Sequence, residues 1–362
     1  MISLQLQDVP FEQDVRELFM AFFPGQSFSH APEQDAMISC IMEACAEEGA
    51  APRLGSYRAE LRTAEGEALR FESAWMEERI ESKNELKRAL YRALSALTGK
   101  ELPWGTLTGI RPAKLALTGL QAGKSADEIR AEFKRDFFLS DARNELCVRT
   151  AENELRAIRG LDFSTGYSLY IGIPFCPTTC LYCSFPSYPI GSKKSTAYLA
   201  ALKEEIRLVA NLMAEKRLDA IYVGGGTPTS LSAAELEELL GFVRGLFDLS
   251  ALREFTVEAG RPDSISREKL MVLKEQGVDR ISINPQTLKQ GTLDLIGRFH
   301  TVEQFVESFR LARELGFENI NTDLIMGLPN ESEADVRRTM EGIRSLSPDD
   351  VTIHSLALKR GG

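Results

Sequence analysis

Tyr170-Ile-Gly-Ile-Pro-Phe-Cys176-Pro-Thr-Thr-Cys180-Leu-Tyr-Cys183-Ser-Phe gathers three of the chain's six cysteines within eight residues. An apolar run at 168–173, directly before them, reads as a strand. The spacing C-x3-C-x2-C puts three thiolates on one short loop, where they can converge on one metal centre. Soft thiolates favour zinc or iron–sulfur clusters. A closed structural zinc site needs a fourth ligand, usually from a second Cys or His knuckle. None follows: the next histidine is His300, and no cysteine comes after Cys183. Three ligands to a four-iron cluster would instead leave one iron open to a small molecule. The loop therefore reads as a [4Fe–4S] site on Cys176, Cys180 and Cys183, with zinc or three structural cysteines as alternatives.

From this loop onward the pattern alternates between strand and helix. Strands read at 167–173, 219–223, 254–259, 279–283, 319–325 and 350–356. Helical periodicity fills the gaps at 195–215, 232–247, 266–276, 288–297, 302–315 and 332–346. Such alternation implies a parallel sheet lined by helices, with functional residues gathered at the carboxyl ends of the strands.

Those strand ends carry distinctive residues. The second strand runs into Tyr222-Val-Gly224-Gly225-Gly226-Thr227-Pro228-Thr229, three glycines where a Cβ would block close approach of a ligand. On its own the triplet is equally a tight strand-to-helix turn. Glu258 follows the third strand, Gln286 the fourth and Arg298 comes further along, while Asp323 lies in the fifth. Carboxylates and an arginine buried on one face of a barrel are costly unless paired or liganded. A zwitterionic ligand with a ribose would partner them; a structural ion-pair network is the alternative.

The cysteine loop after a first strand resembles the radical S-adenosylmethionine (radical SAM) superfamily. Its flanks, Tyr170 and Pro174-Phe175, resemble the oxygen-independent coproporphyrinogen III oxidase family, and so does the Gly-Gly-Gly-Thr-Pro-Thr form. The match covers about 170–358. It implies an α/β fold, a radical SAM partial (β/α)6 barrel over 166–362 preceded by a smaller α+β domain with a helical connector over 1–165. It also implies a cluster whose open iron is chelated by SAM, so that an electron cleaves SAM to methionine and a 5′-deoxyadenosyl radical. By position, the residues matching the family's SAM contacts are Tyr170, Tyr182, Gly225, Gly226, Thr227, Glu258, Gln286, Arg298, Asp323 and Ala357. Expected partners are coproporphyrinogen III, or haem, and a low-potential electron donor; no protein acid or base is assigned.

Two positions depart from that family. Gly172 stands where the oxidase has a histidine two residues past the tyrosine, and Phe185 where it has an extra cysteine. With Ser184-Phe185-Pro186-Ser-Tyr-Pro and the long N-terminal region, they resemble the HemZ-type coproporphyrinogen dehydrogenase branch. The implied activity is oxidative decarboxylation of two propionates to vinyls, giving protoporphyrinogen IX. A haem chaperone of the same family is the rival, and an RNA-modifying radical SAM enzyme the third reading. The chain stops at Gly362, before a sixth helix, which reads as a truncation with weak or no turnover.

Composition sets the outer bounds. The 362 residues suit about two domains. A net charge of −10 argues against nucleic acid as the main partner, because phosphate contact is carried by Lys and Arg. The first residues lack a signal-peptide pattern, and no apolar run approaches the ~18 residues of a membrane span. Thiolate-ligated iron also requires a reducing compartment, so the reading is cytoplasmic.

The N-terminal region reads as strands at 2–6, 36–45, 57–63 and 68–73, a hairpin at 64–67, and helices at 12–23 and 82–97. Cys40 and Cys45 read as buried structural cysteines, with a redox or metal role as the alternative, and Cys147 reads as a core residue. The Gly/Pro-rich stretch Leu102-Pro-Trp-Gly-Thr-Leu-Thr-Gly-Ile-Arg-Pro-Ala-Lys114 reads as an ordered interdomain connector, or alternatively as a loop that greets an anion. Helices follow at 125–133 and 140–158. His300, two residues past Arg298, is left unassigned, and His30 and His354 carry no supporting constellation.

Overall fold

The computed structural model describes residues 1–33, 35–46, 55–109, 111–190 and 192–357. It divides into two units, Met1–Gly160 and Leu161–Gly362.

The first unit begins with β1 (Ile2–Gln7), α1 (Glu12–Phe22), β2 (Phe28–Ser29), β3 (Ile38–Ala46), β4 (Gly55–Thr63) and β5 (Ala68–Ala74). The strands form one mixed sheet in the order β2-β1-β3-β4-β5, parallel around β1 and antiparallel from β3 onward. Strand periodicity decides what β3 buries: Ile38, Cys40 and Met42 face the core, while Ile41 between them is exposed. Helical periodicity does the same for α1, whose Val15, Leu18, Phe19 and Phe22 are buried on one stripe. Each such side chain contributes roughly 1.5–3 kcal/mol by leaving water. The long helix α2 (Arg79–Thr98) adds Leu86, Leu90 and Leu94 to the same core and stops at Gly99, which adopts the left-handed conformation.

The stretch read as a connector is different in the structure. Its last residues start a helix, α3 (Pro112–Gln121), that the sequence reading missed. Proline at the first helical position loses only an N–H that has no helical partner, so Arg111-Pro112 is a start signal as well as a loop signal. The residues before it are braced within the first unit. Tyr91 accepts from the Leu102 amide at 2.9 Å, and Lys87 donates to Thr108 at 2.8 Å. Thr108 in turn donates to Glu17 at 3.0 Å. This segment is thus an internal brace of the unit. Helices α4 (Ala126–Phe137), which ends four residues later than read, and α5 (Asp141–Ala157) are capped by Ser125 and Ser140. With α3 they close a small core of Ala116, Ile129, Phe133, Cys147 and Val148.

The second unit runs β6 (Gly166–Ile173), β7 (Phe175–Cys176), β8 (Tyr188–Pro189), α6 (Ser192–Leu212), β9 (Arg217–Gly225), α7 (Ala233–Leu246), β10 (Glu254–Glu258) and α8 (Arg267–Glu275). It continues with β11 (Arg280–Ser282), α9 (Gln290–Leu295), α10 (Val302–Glu314), β12 (Asn319–Met326), α11 (Glu333–Leu346) and β13 (Asp350–Ser355). The expected alternation is present at every step. Six strands form an all-parallel sheet in strict chain order, β6-β9-β10-β11-β12-β13, the open sheet of a partial (β/α)6 barrel. One face of the sheet is apolar: the register-paired row Ile171, Val223, Val257, Ile281 and Ile320 is fully buried, while the adjacent row on the other face, Tyr170, Tyr222, Thr256, Arg280 and Asn319, is polar. Ser232, Thr301 and Ser332 open α7, α10 and α11 with reciprocal capping boxes. The tiny β7–β8 pair, too short to read from sequence, folds the chain after the cysteine loop back beside Phe175 and Cys176. Among the described residues, no helix is long and apolar enough to cross a membrane.

Candidate functional site

All the sequence-selected residues lie at or beyond the carboxyl ends of the second sheet's strands, with the exceptions of Tyr170 and Asp323, which sit within β6 and β12. The cysteine loop leaves β6 and is held from three sides. From β9, the Gly226 amide donates to Ile173 O at 2.8 Å and the Thr227 amide to Phe175 O at 2.7 Å. A Cβ on Gly226 would sit 2.7 Å from Phe175 O and 3.1 Å from Cys176 Sγ, and Gly225 has φ +108°. The glycines are therefore needed for backbone to meet backbone at the cysteines, a reason for the triplet that the sequence did not disclose. Thr227, itself buried, donates its hydroxyl to Cys176 Sγ at 3.4 Å.

From β10 comes Arg261, which no sequence reading singled out. It is paired with Asp263 and donates to Thr178 and to Cys180 Sγ. On the third side, the Leu181 amide donates to Ile296 O at 3.0 Å, where α9 ends. Burial raises the Cys176 thiol, opposed by the Thr227 hydroxyl and reinforced by the charges of Cys180 and Cys183. Among the described residues, no three His, Cys, Asp or Glu side chains close around a single ion.

Beside the loop, a hydrogen-bonded chain crosses the sheet. Arg298 is buried and donates to Tyr182 Oη at 3.1 Å and to the carbonyls of Gly260 and Asn284 at 2.7 Å each. Asn284 grips Asp323 twice: its Nδ2 donates to the carboxylate at 2.9 Å and its Oδ1 accepts the Asp323 amide at 3.1 Å. Asn321 donates to the other carboxylate oxygen at 2.7 Å. Gln286, at φ +69°, exchanges backbone bonds with Asp323 and Ile325. Glu258 accepts from Tyr222 Oη at 2.5 Å, and the Tyr222 ring stacks on Tyr170, centroids 5.8 Å apart at 11°. Burial pushes the Glu258 carboxyl above its usual range, and the Asp323 charge adds to this against the Tyr222 bond.

This arrangement departs from the ion-pair alternative. Among the described residues Arg298 pairs with neither Glu258 nor Asp323; it is held by carbonyls and a phenol, and they by neutral donors. One guanidinium and two carboxylates are fixed in place without cancelling one another. Arg298 Nε and Gln286 Oε1 are buried with no partner at all. Such groups fit a zwitterionic ligand bearing hydroxyls. Ala357 is exposed, two residues beyond β13. Tyr222, Asn284 and Arg261 were missed. A polar residue on the last turn of a buried strand was the available signal for the first two. His300, left unassigned, is fully buried with neither ring nitrogen partnered; burial, then Arg298, lowers its pKa to about 3, so it is neutral.

Comparison with known proteins agrees with the geometry. Residues 170–343 match the model of the radical SAM superfamily. The chain is 42% identical over 284 residues to the oxygen-independent coproporphyrinogen-III oxidase-like protein HemZ of Bacillus subtilis, covering 77% of this chain and 57% of that protein. It is 42% identical over 193 residues to the haem chaperone HemW of the same organism, covering 53% and 51%. The coproporphyrinogen III oxidase HemN of Escherichia coli, described as a radical SAM enzyme, superposes with a TM-score of 0.50 at 30% identity, over 57% of this chain and 47% of that one. The chain thus spans little more than half the length of the curated relatives it matches.

Proposed function

Residues 170–343 are a radical SAM domain, and from that premise we propose that this protein carries out the oxygen-independent oxidative decarboxylation of coproporphyrinogen III. A radical SAM domain works with a [4Fe–4S] cluster and S-adenosylmethionine, which when bound supply one-electron reduction and hydrogen-atom abstraction. Each round removes one hydrogen atom from a propionate β-carbon, releases carbon dioxide and passes one electron to an acceptor, leaving a vinyl group. Two rounds give protoporphyrinogen IX.

The chain's own residues prepare this chemistry by placement. Cys176, Cys180 and Cys183 hold the cluster, with Thr227 and Arg261 donating to two of the sulfurs. Arg298 presents positive charge, and Glu258 and Asp323 negative charge, to the ends of a zwitterion; Gln286 has an acceptor free for a hydroxyl or ammonium. Tyr222 fixes the Glu258 carboxylate, and Tyr170 lies flat against the Tyr222 ring. The observation that carries the reading is this pair of uncancelled charge signs beside a three-thiol loop. A low-potential donor must supply the electron, and the proposed setting is the cytoplasm.

The substrate is supported by the extent of the HemZ match, which is longer than the second unit and so reaches into the first. The HemW match, of 193 residues, is no longer than the second unit itself. A haem chaperone nevertheless stands as the second reading, because that relative is equally identical over the stretch it shares. Anaerobic reconstitution with SAM, a low-potential reductant and coproporphyrinogen III, followed by mass spectrometry, separates them. Mono- and di-decarboxylated porphyrinogens with 5′-deoxyadenosine are expected. SAM cleavage or stoichiometric haem binding without decarboxylation would favour the chaperone.

A further inference from the structure

Arg261 is only 3% exposed, and a guanidinium that deep is costly unless its donors are used. They are. Nε and Nη2 donate to the two Asp263 carboxylate oxygens at 2.9 and 2.7 Å. Nη2 also donates to Thr178 Oγ1 at 3.0 Å, and Nη1 to Thr178 O at 3.2 Å. The remaining Nη1–H points at Cys180 Sγ, 3.6 Å away. All five donors are engaged, three of them on the cysteine loop, more than eighty residues earlier in the chain.

We infer that Arg261, oriented by Asp263, is a positioning residue that fixes the cysteine loop and sets the reduction potential of the cluster held there. The inference rests on the radical SAM reading of that loop. A charge-assisted N–H···S bond stabilises the negative charge that a cluster gains on reduction, and potentials of such clusters follow net charge and hydrogen bonds to sulfur. The electron needed for SAM cleavage must enter this cluster, so the arginine governs how strong a donor the protein requires. Asp263 acts in the opposite electrostatic sense. It holds the fork in plane while offsetting part of its charge, and in spite of its burial Arg261 keeps its carboxyl below the usual range.

The test compares wild type with Arg261→Gln, Arg261→Lys and Asp263→Asn. Each is reconstituted anaerobically, assayed for iron and sulfide, and titrated potentiometrically by electron paramagnetic resonance without SAM. Arg261→Gln should disfavour reduction about tenfold, a shift of ~59 mV to more negative potential for one electron. Arg261→Lys keeps the charge but not the fork and should shift less in the same direction. Asp263→Asn should shift the other way, since the guanidinium charge is no longer offset. A purely structural brace would lower cluster content in all three while the clusters that form keep the wild-type potential; that result overturns the inference. If Arg261→Gln takes up no cluster, Arg261→Lys and Asp263→Asn decide the matter by the sign of the difference between them, and equal potentials overturn it. A wild-type cluster whose spectrum does not respond to added SAM would instead overturn the radical SAM reading, before any variant is compared.

Discussion

Both units of this chain place cysteines on or beside sheets, and the two sheets treat them in opposite ways. Cys40 lies in the middle of β3, fully buried among Ile2, Leu4 and Met42, and burial alone pushes its thiol up to about 12. Among the described residues no hydrogen bond reaches its sulfur. Cys176 and Cys180 lie just past the end of β6, half-buried, each with a hydrogen-bond donor directed at its sulfur. A strand interior hides a thiol, whereas a strand end in a parallel sheet lets neighbouring strands supply donors to it. Position relative to the sheet, more than burial, separates an inert thiol from a metal ligand.

The largest expected break in that contrast comes from the loop. Cys180→Ala should abolish the cluster, read as loss of bound iron and of the visible iron–sulfur charge-transfer absorption. Cys40→Ala should leave iron content unchanged and cost roughly 1 kcal/mol in denaturant unfolding. Iron loss in the Cys40 variant would erase the distinction. Next in size is Gly226→Ala. Its new methyl meets backbone oxygens of the cysteine strand at 2.7 and 2.9 Å, which cannot swing aside as a side chain can. A loss of ~1–3 kcal/mol with lowered iron content is expected. Arg298→Met strips three acceptors of their donor and should weaken SAM binding by about tenfold or more, measured by calorimetry, at about 1.4 kcal/mol per factor of ten.

The smallest effect is one of pH. The folded-state pKa of Glu258 is raised, so its contribution favours folding below the unfolded pKa and is lost as pH rises through the folded one. Glu258→Gln should therefore stabilise the ligand-free protein at neutral pH, with the gain vanishing in acid, while weakening SAM binding. A variant less stable than wild type at neutral pH would contradict the burial argument.

Strand–helix alternation was legible because most barrel strands carry a buried apolar stripe, and four of the intervening helices begin at a Ser or Thr that caps them. The cysteines and the strand-end glycines were legible because they are local in sequence. Helix α3 was not, since Pro112 stands in the Gly/Pro-rich stretch read as a connector while the packing of α3 on α5 is tertiary. Arg261 and Asn284 escaped for a related reason. What makes them informative is a partner 81 or 39 residues away, and no window of sequence contains both. Tyr222 stood inside the quoted glycine motif, yet its bond to Glu258 spans 36 residues and two strands.

The order of the strands has a consequence for how the protein comes to hold iron. The loop that presents the sulfurs is the earliest part of its sheet to leave the ribosome, yet its anchors arrive late. Arg261 follows Cys180 by 81 residues, and Arg298 follows Tyr182 by 116. Contacts at such separation form only after the chain between them has paid its loop-closure entropy. The thiols therefore wait until the fourth strand of the barrel is in place, and cluster insertion becomes a report that the first four strands have assembled.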